Sequence, residues 1–321
     1  MLSFTARVLF RADREELRFL PEGPRRLRLY PGEHPMLGWI AIQHGENSGV
    51  GSFQVLDLMT LQNTSRDLPG RPGFFAETSL PGTVLIGLER RLVLYDMLQG
   101  IVTETGIEVS QDERVIINDG VAIPQGLIFG TKHLKCSEEY AALYYFDAAS
   151  RELKLLKDKQ MCSNGKFLSG DLLVDIDSPR RVLTGYTLDR RGGSITAERT
   201  LADLHAFPGV PDGMRPVQAG GSVAVAFFNP EAAEHGTVRQ VNLASGAVEA
   251  EWIAPGSPRV TCPEFVMLDG QVKLIFTTAV EGMPREMLDT SPNAGSLFIA
   301  DTYFTELPPE PPLLAPDVFT K

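Results

Sequence analysis

Four short polar motifs interrupt the apolar runs of this sequence, and each sets an oxygen-bearing side chain beside glycine or proline. In chain order these side chains are Glu22, Asn118, Asn164 and Asp212. Two carboxylates and two carboxamides form an oxygen-only donor set, and hard cations such as Ca²⁺ and Mg²⁺ prefer oxygen ligands. If the four side chains meet in space, the sequence predicts one divalent-metal site.

Each motif alone is a weak signal, because Asn-Gly and Asp-Gly pairs are among the commonest β-turn dipeptides. Residues 118–120, 164–165 and 212–213 all fit a turn. Successive motifs lie about 50 or 100 positions apart in the chain, and a local preference for turns cannot bring such distant residues together. The fold must therefore bring them together.

Short strand-like runs fill most of the chain, for example 53–58, 83–88 and 238–243. They are rich in Val, Ile, Leu, Phe and Tyr, and are separated by Gly, Pro, Asp, Asn and Ser, which is typical of hairpins. Helical periodicity is sparse. Units of about 40 to 50 residues suit four-stranded propeller blades, whose innermost strands line a central channel. The pattern predicts an all-β propeller with the four motifs on its axis.

The composition fits one globular domain. Of 321 residues, 43% are hydrophobic and 22% are charged, and all-β propellers often exceed the average domain length. The stretch 307–312 contains four prolines and must be extended, because proline cannot donate to a β-ladder. The sequence predicts a propeller over residues 1–305 and a Pro-rich C-terminal surface tail over 306–321.

The charge balance argues against a nucleic-acid partner, because 30 Lys and Arg face 41 Asp and Glu for a net charge of −11. Two small basic groups, 25–28 and Arg190-Arg191, are predicted to be solvated. No apolar run approaches the roughly 20 residues needed to span a bilayer, and the N-terminus lacks a signal-peptide pattern. We expect a cytoplasmic protein, monomeric or weakly homo-oligomeric, without a membrane partner.

Other catalytic chemistries find little support. The five histidines show no H-E-x-x-H spacing, and there is no G-x-S-x-G elbow or phosphate-binding loop. The three cysteines are odd in number and widely spaced, which favours a reducing compartment. Cys162 and Cys262 are expected to approach each other in the channel as small buried hydrophobes.

The four motifs, in this order, resemble those of the senescence marker protein/gluconolactonase/regucalcin family of six-bladed β-propellers. The matching segments are Pro21-Glu22-Gly23-Pro24, Asn118-Asp119-Gly120, Ser163-Asn164-Gly165 and Pro211-Asp212-Gly213-Met214. Residues 124–126 and 258–262 add local matches, so that the similarity spans roughly residues 18–280. The resemblance implies six blades, each of four antiparallel strands.

The resemblance also implies roles for individual residues. Glu22, Asn164 and Asp212 would hold one divalent cation, Ca²⁺ first, with Mg²⁺, Mn²⁺ or Zn²⁺ as alternatives. Asn118 would ligate the cation or contact the substrate. Asp212 would be the general base that activates water for attack on the carbonyl of a small lactone or related ester. Two further substrate contacts, Lys132 and Glu139, would lie in the connection after the Asn-Asp-Gly motif.

Two departures from the family pattern affect the expected substrate. Family lactonases carry an Arg two residues before the Asn of Asn-Asp-Gly, where this chain has Ile116, and an Asp three residues beyond its Gly, where this chain has Ile123. Loss of an Arg removes a multidentate donor for polar oxygens, so a lactone or ester less polar than a sugar lactone is expected.

Alternatives to a lactonase remain open at this point. One is a phosphotriesterase-like hydrolase acting at the same site, and the other is a propeller that binds calcium or a small molecule with little catalysis. The first ligand also has a rival. The stretch before Trp39 is longer than in the family, which leaves Glu33 as an alternative to Glu22.

Overall fold

Short strands follow one another along nearly the whole chain in a computed structural model that describes residues 1–189, 193–218 and 220–320. One predicted solvated basic group, Arg190-Arg191, lies outside the described residues. Two strands precede the first blade, β1 (Leu2–Thr5) and β2 (Arg7–Phe10).

The first three blades are formed by consecutive strands. Blade 1 contains β3 (Pro21–Leu27), β4 (Met36–Ala41), β5 (Gly51–Asp57) and β6 (Asn63–Leu68). Blade 2 contains β7 (Pro72–Glu77), β8 (Thr83–Leu88), β9 (Arg91–Asp96) and β10 (Ile101–Glu108). Blade 3 contains β11 (Val115–Ile123), β12 (Gly126–His133), β13 (Ala141–Asp147) and β14 (Glu152–Gln160).

The last three blades continue this order. Blade 4 contains β15 (Ser163–Ser169), β16 (Leu172–Asp177), β17 (Val182–Asp189) and β18 (Ser194–Asp203). Blade 5 contains β19 (Val210–Val217), β20 (Ser222–Phe228), β21 (His235–Asn242) and β22 (Val248–Pro255). Blade 6 contains β23 (Val260–Leu268), β24 (Gln271–Thr278) and β25 (Leu297–Asp301).

One short helix, α1 (Arg285–Thr290), lies in the connection between β24 and β25. In the parts of the chain that the structure describes, no helix is both long enough and apolar enough to span a membrane.

The blades are arranged around a central axis. The first strands of the six blades, β3, β7, β11, β15, β19 and β23, contact one another in sequence, and β23 contacts β3 to close the circle. Within each blade the consecutive strands pair antiparallel. The prediction of a six-bladed propeller with four-stranded antiparallel blades is confirmed.

The N-terminal strands close the ring. Strand β2 pairs antiparallel with β25, with Arg7 opposite Ile299, and becomes the fourth strand of blade 6. Strand β1 pairs parallel with β22 and adds a fifth strand to blade 5. The two outermost strands of neighbouring blades therefore come from one N-terminal segment, which ties those blades together.

The core lies between neighbouring blades. Trp252 of blade 5 packs with Phe265 and Phe276 of blade 6, and Trp39 of blade 1 packs with Val266 of blade 6. These side chains are almost fully buried. Aromatic side chains bury large apolar areas, so the blade faces stabilise the ring chiefly through the hydrophobic effect.

The C-terminal segment is not the surface tail predicted from its prolines. Leu314 forms a parallel bridge with Thr78 at the end of blade 2, and its amide donates to the carbonyl oxygen of Glu77 at 3.0 Å. Phe319 is buried and stacks on Phe146 of blade 3 with ring centroids 5.0 Å apart. The segment is therefore packed against blades 2 and 3.

The basic group at 25–28 is only partly solvated. Arg25 and Arg26 are half-buried in the innermost strand of blade 1. Arg26 forms an ion pair with Glu310 of the Pro-rich segment, and the guanidinium of Arg25 lies 3.9 Å from Asp119. The prediction of a solvated group is wrong for these two residues, because ion pairing to distant parts of the chain compensates their burial.

Candidate functional site

The four polar motifs lie within innermost strands rather than in turns. Glu22 is in β3, Asn118 in β11, Asn164 in β15 and Asp212 in β19. At each motif the pairing of that strand with its neighbour shifts register. Such β-bulges leave residues out of the regular ladder and re-aim their side chains. The interpretation of these motifs as ordinary turns is therefore wrong.

Glycines in these bulges allow neighbouring blades to approach closely. A Cβ atom on Gly165 would lie 2.5 Å from the backbone nitrogen of Met214, and one on Gly213 would lie 2.5 Å from the Sγ of Cys262. Both distances are too short for any side chain. At both positions the chain of one blade packs closely against the neighbouring blade. Only glycine fits there, which explains why glycine follows Asn164 and Asp212.

All four predicted side chains line one cavity of about 430 Å³ at the end of the channel where the innermost strands begin. Glu22, Asn118, Asn164 and Asp212 are 9%, 6%, 8% and 8% exposed. The set that the sequence suggested is thus brought together by four different blades. Its role in binding a metal stays a prediction.

Hydrogen bonds orient the two carboxamides. The Nδ2 of Asn118 donates to the carbonyl oxygen of Ser163 at 3.0 Å, and the Nδ2 of Asn164 donates to the Oγ of Ser178 at 3.2 Å. Because the amide nitrogens already have acceptors, the amide oxygens are the atoms left to meet a cation or a polar ligand. This orientation suits an oxygen-ligated cation.

The two carboxylates are destabilised in their charged forms. Burial raises the pKa of Glu22 to about 8, and the charge of Asp119 adds to this shift. Burial likewise raises the pKa of Asp212 well above its ordinary value, with Glu22 as the next contributor. Two buried carboxylates repel each other when both are ionised, and a divalent cation bound between them would offset this repulsion.

The donors available to a cation in this cavity are mixed. In residues 1–189, 193–218 and 220–320, no three His, Cys, Asp or Glu side chains are grouped as metal ligands. A cation here would depend on the amide oxygens as well as on the two carboxylates. That donor set fits Ca²⁺ or Mg²⁺ better than a cation that selects imidazole or thiolate.

Lys132 brings a positive charge into the same cavity. Burial alone would lower its pKa, but nearby acidic groups, Glu281 foremost, outweigh burial and raise the pKa of Lys132 above its ordinary value. Lys132 is the cross-strand partner of Ile116 in the β11–β12 ladder. Opposite residues in an antiparallel pair share one face, so the lysine stands beside the position where family lactonases carry Arg.

Apolar side chains form much of the remaining wall. They come from the residues just before β3 and just after β4 in blade 1, and from the start of β19, the end of β20 and the segment after β20 in blade 5: Leu20, Ile42, Val210, Phe228 and Pro230. A concave pocket that combines an apolar wall with a few convergent polar groups is typical of a small-molecule site.

Three residues singled out from the sequence lie elsewhere. Glu139 does not line the cavity and forms an ion pair with Arg180, with 2.9 Å between Oε1 and Nη2. Glu33 is exposed in the loop before β4, which leaves Glu22 as the carboxylate that faces the cavity. Ile123 packs with Ile128 and with side chains of blade 4 at the other end of β11. Its difference from the family pattern therefore does not change this cavity.

The predicted approach of Cys162 to Cys262 is also wrong. Cys162 lines the cavity and interacts with Cys136, a residue of the connection after β12. Cys262 instead accepts a hydrogen bond from Arg25, with 3.7 Å between Sγ and Nη1. Glu281 and Cys136 were missed as site residues because both lie in irregular connections without a recognisable motif.

Comparison with known proteins gives a family match over most of the chain. The model of the family described as "SMP-30/Gluconolactonase/LRE-like region" matches residues 34–280. An L-arabinolactonase from Azospirillum brasilense is 28% identical over 241 residues, which cover 73% of this chain and 76% of that protein. Regucalcin from Danio rerio is 27% identical over 222 residues, covering 68% and 72% of the two chains.

Solved structures show the same fold. A calcium-binding protein, regucalcin, from Agrobacterium tumefaciens superposes with a TM-score of 0.78, covering 97% of this chain and 98% of that one. The two sequences are 22% identical, so this likeness supports the fold alone.

Proposed function

Because the chain belongs to the SMP-30/gluconolactonase/LRE-like family, we propose that it is a divalent-metal-dependent hydrolase that opens a small lactone. The observation that carries the proposal is the convergence of Glu22, Asn118, Asn164 and Asp212 on one partly apolar cavity. An L-arabinolactonase among its relatives supports lactones as the substrate class.

The metal centre is proposed to use the two carboxylates and the two amide oxygens. Glu22, Asn164 and Asp212 hold the cation, and Asn118 completes the set or contacts the substrate. Ca²⁺ is the first choice, because an oxygen-only set with two carboxylates suits it. A bound cation supplies Lewis-acid polarisation of the lactone carbonyl and stabilises negative charge on its oxygen.

Asp212 is proposed as the general base. It accepts a proton from a water molecule while the water oxygen bonds to the carbonyl carbon of the lactone. The bond between that carbon and the ring oxygen then breaks, and Asp212 returns the proton to the leaving oxygen, which gives the hydroxy acid. Burial makes the Asp212 carboxylate a stronger base than an exposed Asp by raising its pKa, and a bound cation would keep it ionised and able to accept the proton.

Lys132 is proposed to bind the substrate. Once a divalent cation offsets the charges of Glu22 and Asp212, the charged side chains left in the cavity are Lys132, Lys135 and Glu281. An ammonium group beside the position of Ile116 then replaces the Arg of the family pattern as a donor for polar oxygens. This assignment revises the expectation of a lactone or ester less polar than a sugar lactone.

Replacing Lys132 by Met tests this binding role. We expect Lys132→Met to raise KM for a polyhydroxy lactone about tenfold, because a charge-assisted hydrogen bond contributes roughly 1.5–3 kcal/mol. The change in kcat is expected to be small, since the ammonium group contacts the bound substrate without taking part in proton transfer. Steady-state kinetics on a sugar lactone and on an alkyl lactone of the same ring size provide the measurement.

The alkyl lactone is the internal control for Lys132→Met, since it lacks hydroxyl groups for the ammonium to bind. Equal losses on both lactones would assign Lys132 a structural role instead. The variant Lys135→Met, which changes a more exposed lysine of the same wall, should retain KM within about twofold.

Metal binding should be linked to proton release. With its pKa at about 8, Glu22 is mostly protonated at pH 7 in the metal-free protein, so a cation must displace that proton. Affinity for Ca²⁺ should therefore rise at least about tenfold per pH unit from pH 6 toward 8, because Asp212, whose pKa is also raised, must lose its proton as well. Calorimetry in two buffers of different ionisation enthalpy measures the protons released.

Two glutamates of this chain serve as a matched pair for that measurement. Glu22→Gln should weaken Ca²⁺ binding by at least tenfold, because a charged ligand is lost. Glu33→Gln should bind as the unchanged protein does, since Glu33 is exposed and outside the cavity. An affinity that does not vary between pH 6 and 8 would contradict the assignment of Glu22 as a ligand.

The function itself is tested by turnover of a lactone panel. The panel contains five- and six-membered sugar lactones and alkyl lactones, assayed with Ca²⁺, Mg²⁺, Mn²⁺ or Zn²⁺ and after treatment with EDTA. We expect hydrolysis that EDTA abolishes and that a divalent cation restores. Hydrolysis that survives EDTA would refute metal dependence, and Ca²⁺ binding without turnover of any lactone would favour a binding propeller.

A further inference from the structure

The wall of the cavity contains a pair of cysteines that the proposed reaction does not use. Cys136 lies in the connection after β12, and Cys162 lies immediately before β15. Both line the cavity of about 430 Å³, and the two thiols are close enough to influence each other's ionisation. Two thiols from different blades therefore meet at the candidate active site.

The main chain holds this pair in place. Lys132 and Cys162 form an antiparallel bridge, and the amide of His133 donates to the carbonyl oxygen of Met161 at 2.9 Å. The amide of Cys136 donates to the carbonyl oxygen of His133 at 2.8 Å, which closes a turn. Cys136 adopts a φ of 48°, a left-handed conformation that is uncommon for a residue with a side chain. These contacts place both cysteines in one wall of the cavity.

The two thiols differ in accessibility. Cys136 is half-buried, whereas Cys162 is buried. A more accessible thiol next to a buried one is the arrangement in which an oxidant attacks the first sulfur and the second resolves the product. Cys262 is buried elsewhere in the channel, so the chain has one such pair and one separate thiol.

We propose that Cys136 and Cys162 form an oxidative modification site that closes to a disulfide across the cavity wall. Hydrogen peroxide or an organic hydroperoxide transfers oxygen to the Cys136 thiol, which gives a sulfenic acid and water or an alcohol. The sulfur of Cys162 then attacks the sulfenic sulfur, the S–S bond forms, and the S–O bond breaks with loss of water. A dithiol reductant reverses the cross-link by exchange.

The cross-link joins two segments that serve the cavity. Cys162 lies two residues before Asn164, and Cys136 lies four residues after Lys132. Tying these segments together fixes the connection after β12 against blade 4 and removes its freedom to adjust around a ligand. Disulfides in reducing compartments are usually transient and regulatory, which agrees with such a site.

The experiment uses the purified full chain treated with a small excess of hydrogen peroxide. Thiols counted in denaturant should fall from three to one, and the intact mass should fall by two hydrogen atoms. Peptide mapping without reduction should recover the segment with Cys136 joined to the segment with Cys162. The oxidised protein should stay monomeric in denaturing gels without reductant, and dithiothreitol should restore all three thiols.

Each cysteine is replaced in turn as a control. Cys262→Ser should still form the cross-link, whereas Cys136→Ser and Cys162→Ser should not. In Cys162→Ser a reagent that traps sulfenic acids should label Cys136. Three intact thiols after treatment, oxidation of Cys136 without a cross-link in the unchanged protein, or a cross-link between two chains would each overturn the proposal.

A second readout follows the cavity itself. Oxidation should lower lactone turnover at least threefold, with recovery on reduction, in the unchanged protein but not in Cys136→Ser. This readout rests on the proposed function, whereas the thiol count and peptide map do not. A cross-link that forms in a protein with no lactonase activity would therefore support the thiol pair while contradicting the proposed function.

Discussion

Asp212→Asn is expected to lower kcat for lactone hydrolysis about a thousandfold, the scale on which a positioned general base contributes. The amide keeps the size of the carboxylate and one oxygen for the cation, but it cannot accept a proton from water. Asp212 lies at the bulge of β19, where its side chain faces Glu22 and Asn164 across the cavity. Steady-state kinetics at saturating Ca²⁺ measure the loss.

The control for Asp212→Asn is the same change at Asp119, an acidic residue of the Asn-Asp-Gly motif. Asp119 accepts a hydrogen bond from the amide of Gly120 at 2.7 Å and does not line the cavity. Asp119→Asn should keep kcat within about threefold, because no proton passes through it. If Asp212→Asn folds, binds Ca²⁺ and still turns over lactone at more than a tenth of the original rate, Asp212 is not the base.

Glu264→Ala is expected to destabilise the fold by about 3–5 kcal/mol, the usual cost of leaving a buried charge without its partner. Glu264 Oε2 accepts hydrogen bonds from Nη2 and Nε of Arg215 at 2.7 and 3.1 Å, and its Oε1 accepts one from the amide of Phe265 at 2.8 Å. Burial and the nearby Arg25 already lower the pKa of Arg215. Loss of the carboxylate would leave that guanidinium uncompensated.

An exposed ion pair on the same blade provides the comparison. Asp301 lies 2.7 Å from Lys273, and its side chain is 78% exposed. Asp301→Ala should therefore change the free energy of unfolding by less than about 1 kcal/mol. Urea denaturation of both variants gives the difference, and equal values would contradict the view that burial makes the Arg215–Glu264 pair important for stability.

A double variant distinguishes the cost of an unpaired charge from the cost of lost packing at Arg215 and Glu264. Replacing Arg215 by Met and Glu264 by Leu removes both charges and keeps apolar volume, so the loss of stability should be smaller than in Glu264→Ala alone. A double variant as unstable as Glu264→Ala would mean that packing, rather than an unpaired charge, sets the cost.

The sequence predicts the architecture well, because strand alternation and turn residues are local signals. Runs such as 53–58 and 238–243 fall on β5 and β21, with ends that differ by one to three residues. The number of blades follows from the family resemblance instead. Convergence of the four motifs was predictable because every blade contributes its first strand to the channel, whatever its distance along the chain.

Other features depend on contacts between distant segments, which no local pattern encodes. Prolines at 308–312 fit either a free tail or a packed one, and burial of Leu314 and Phe319 decides between them. Glu281 and Cys136 reach the cavity through irregular connections. Their approach to Lys132 and Cys162 becomes visible only in three dimensions.

The effect of Ile116 shows how a linear comparison misleads. Along the chain, an apolar residue in place of Arg indicates a lost substrate contact. In the ladder, Ile116 faces Lys132 on β12, so that a positive charge reaches the cavity from the neighbouring strand. The positive charge is therefore not lost but comes from the paired residue of the next strand. Sequence order alone does not reveal this, because it does not show which residues face each other across a ladder.

Pairing of β2 with β25 has a consequence for the order in which a ribosome delivers the chain. Phe10 at the end of β2 emerges almost 290 residues before Leu297 at the start of β25. At roughly 5–20 residues per second, that interval lasts about 15–60 s. Throughout it the hydrogen-bonding edge of β2 has no partner strand, which makes the nascent N-terminal segment a natural binding site for chaperones until the last blade is translated.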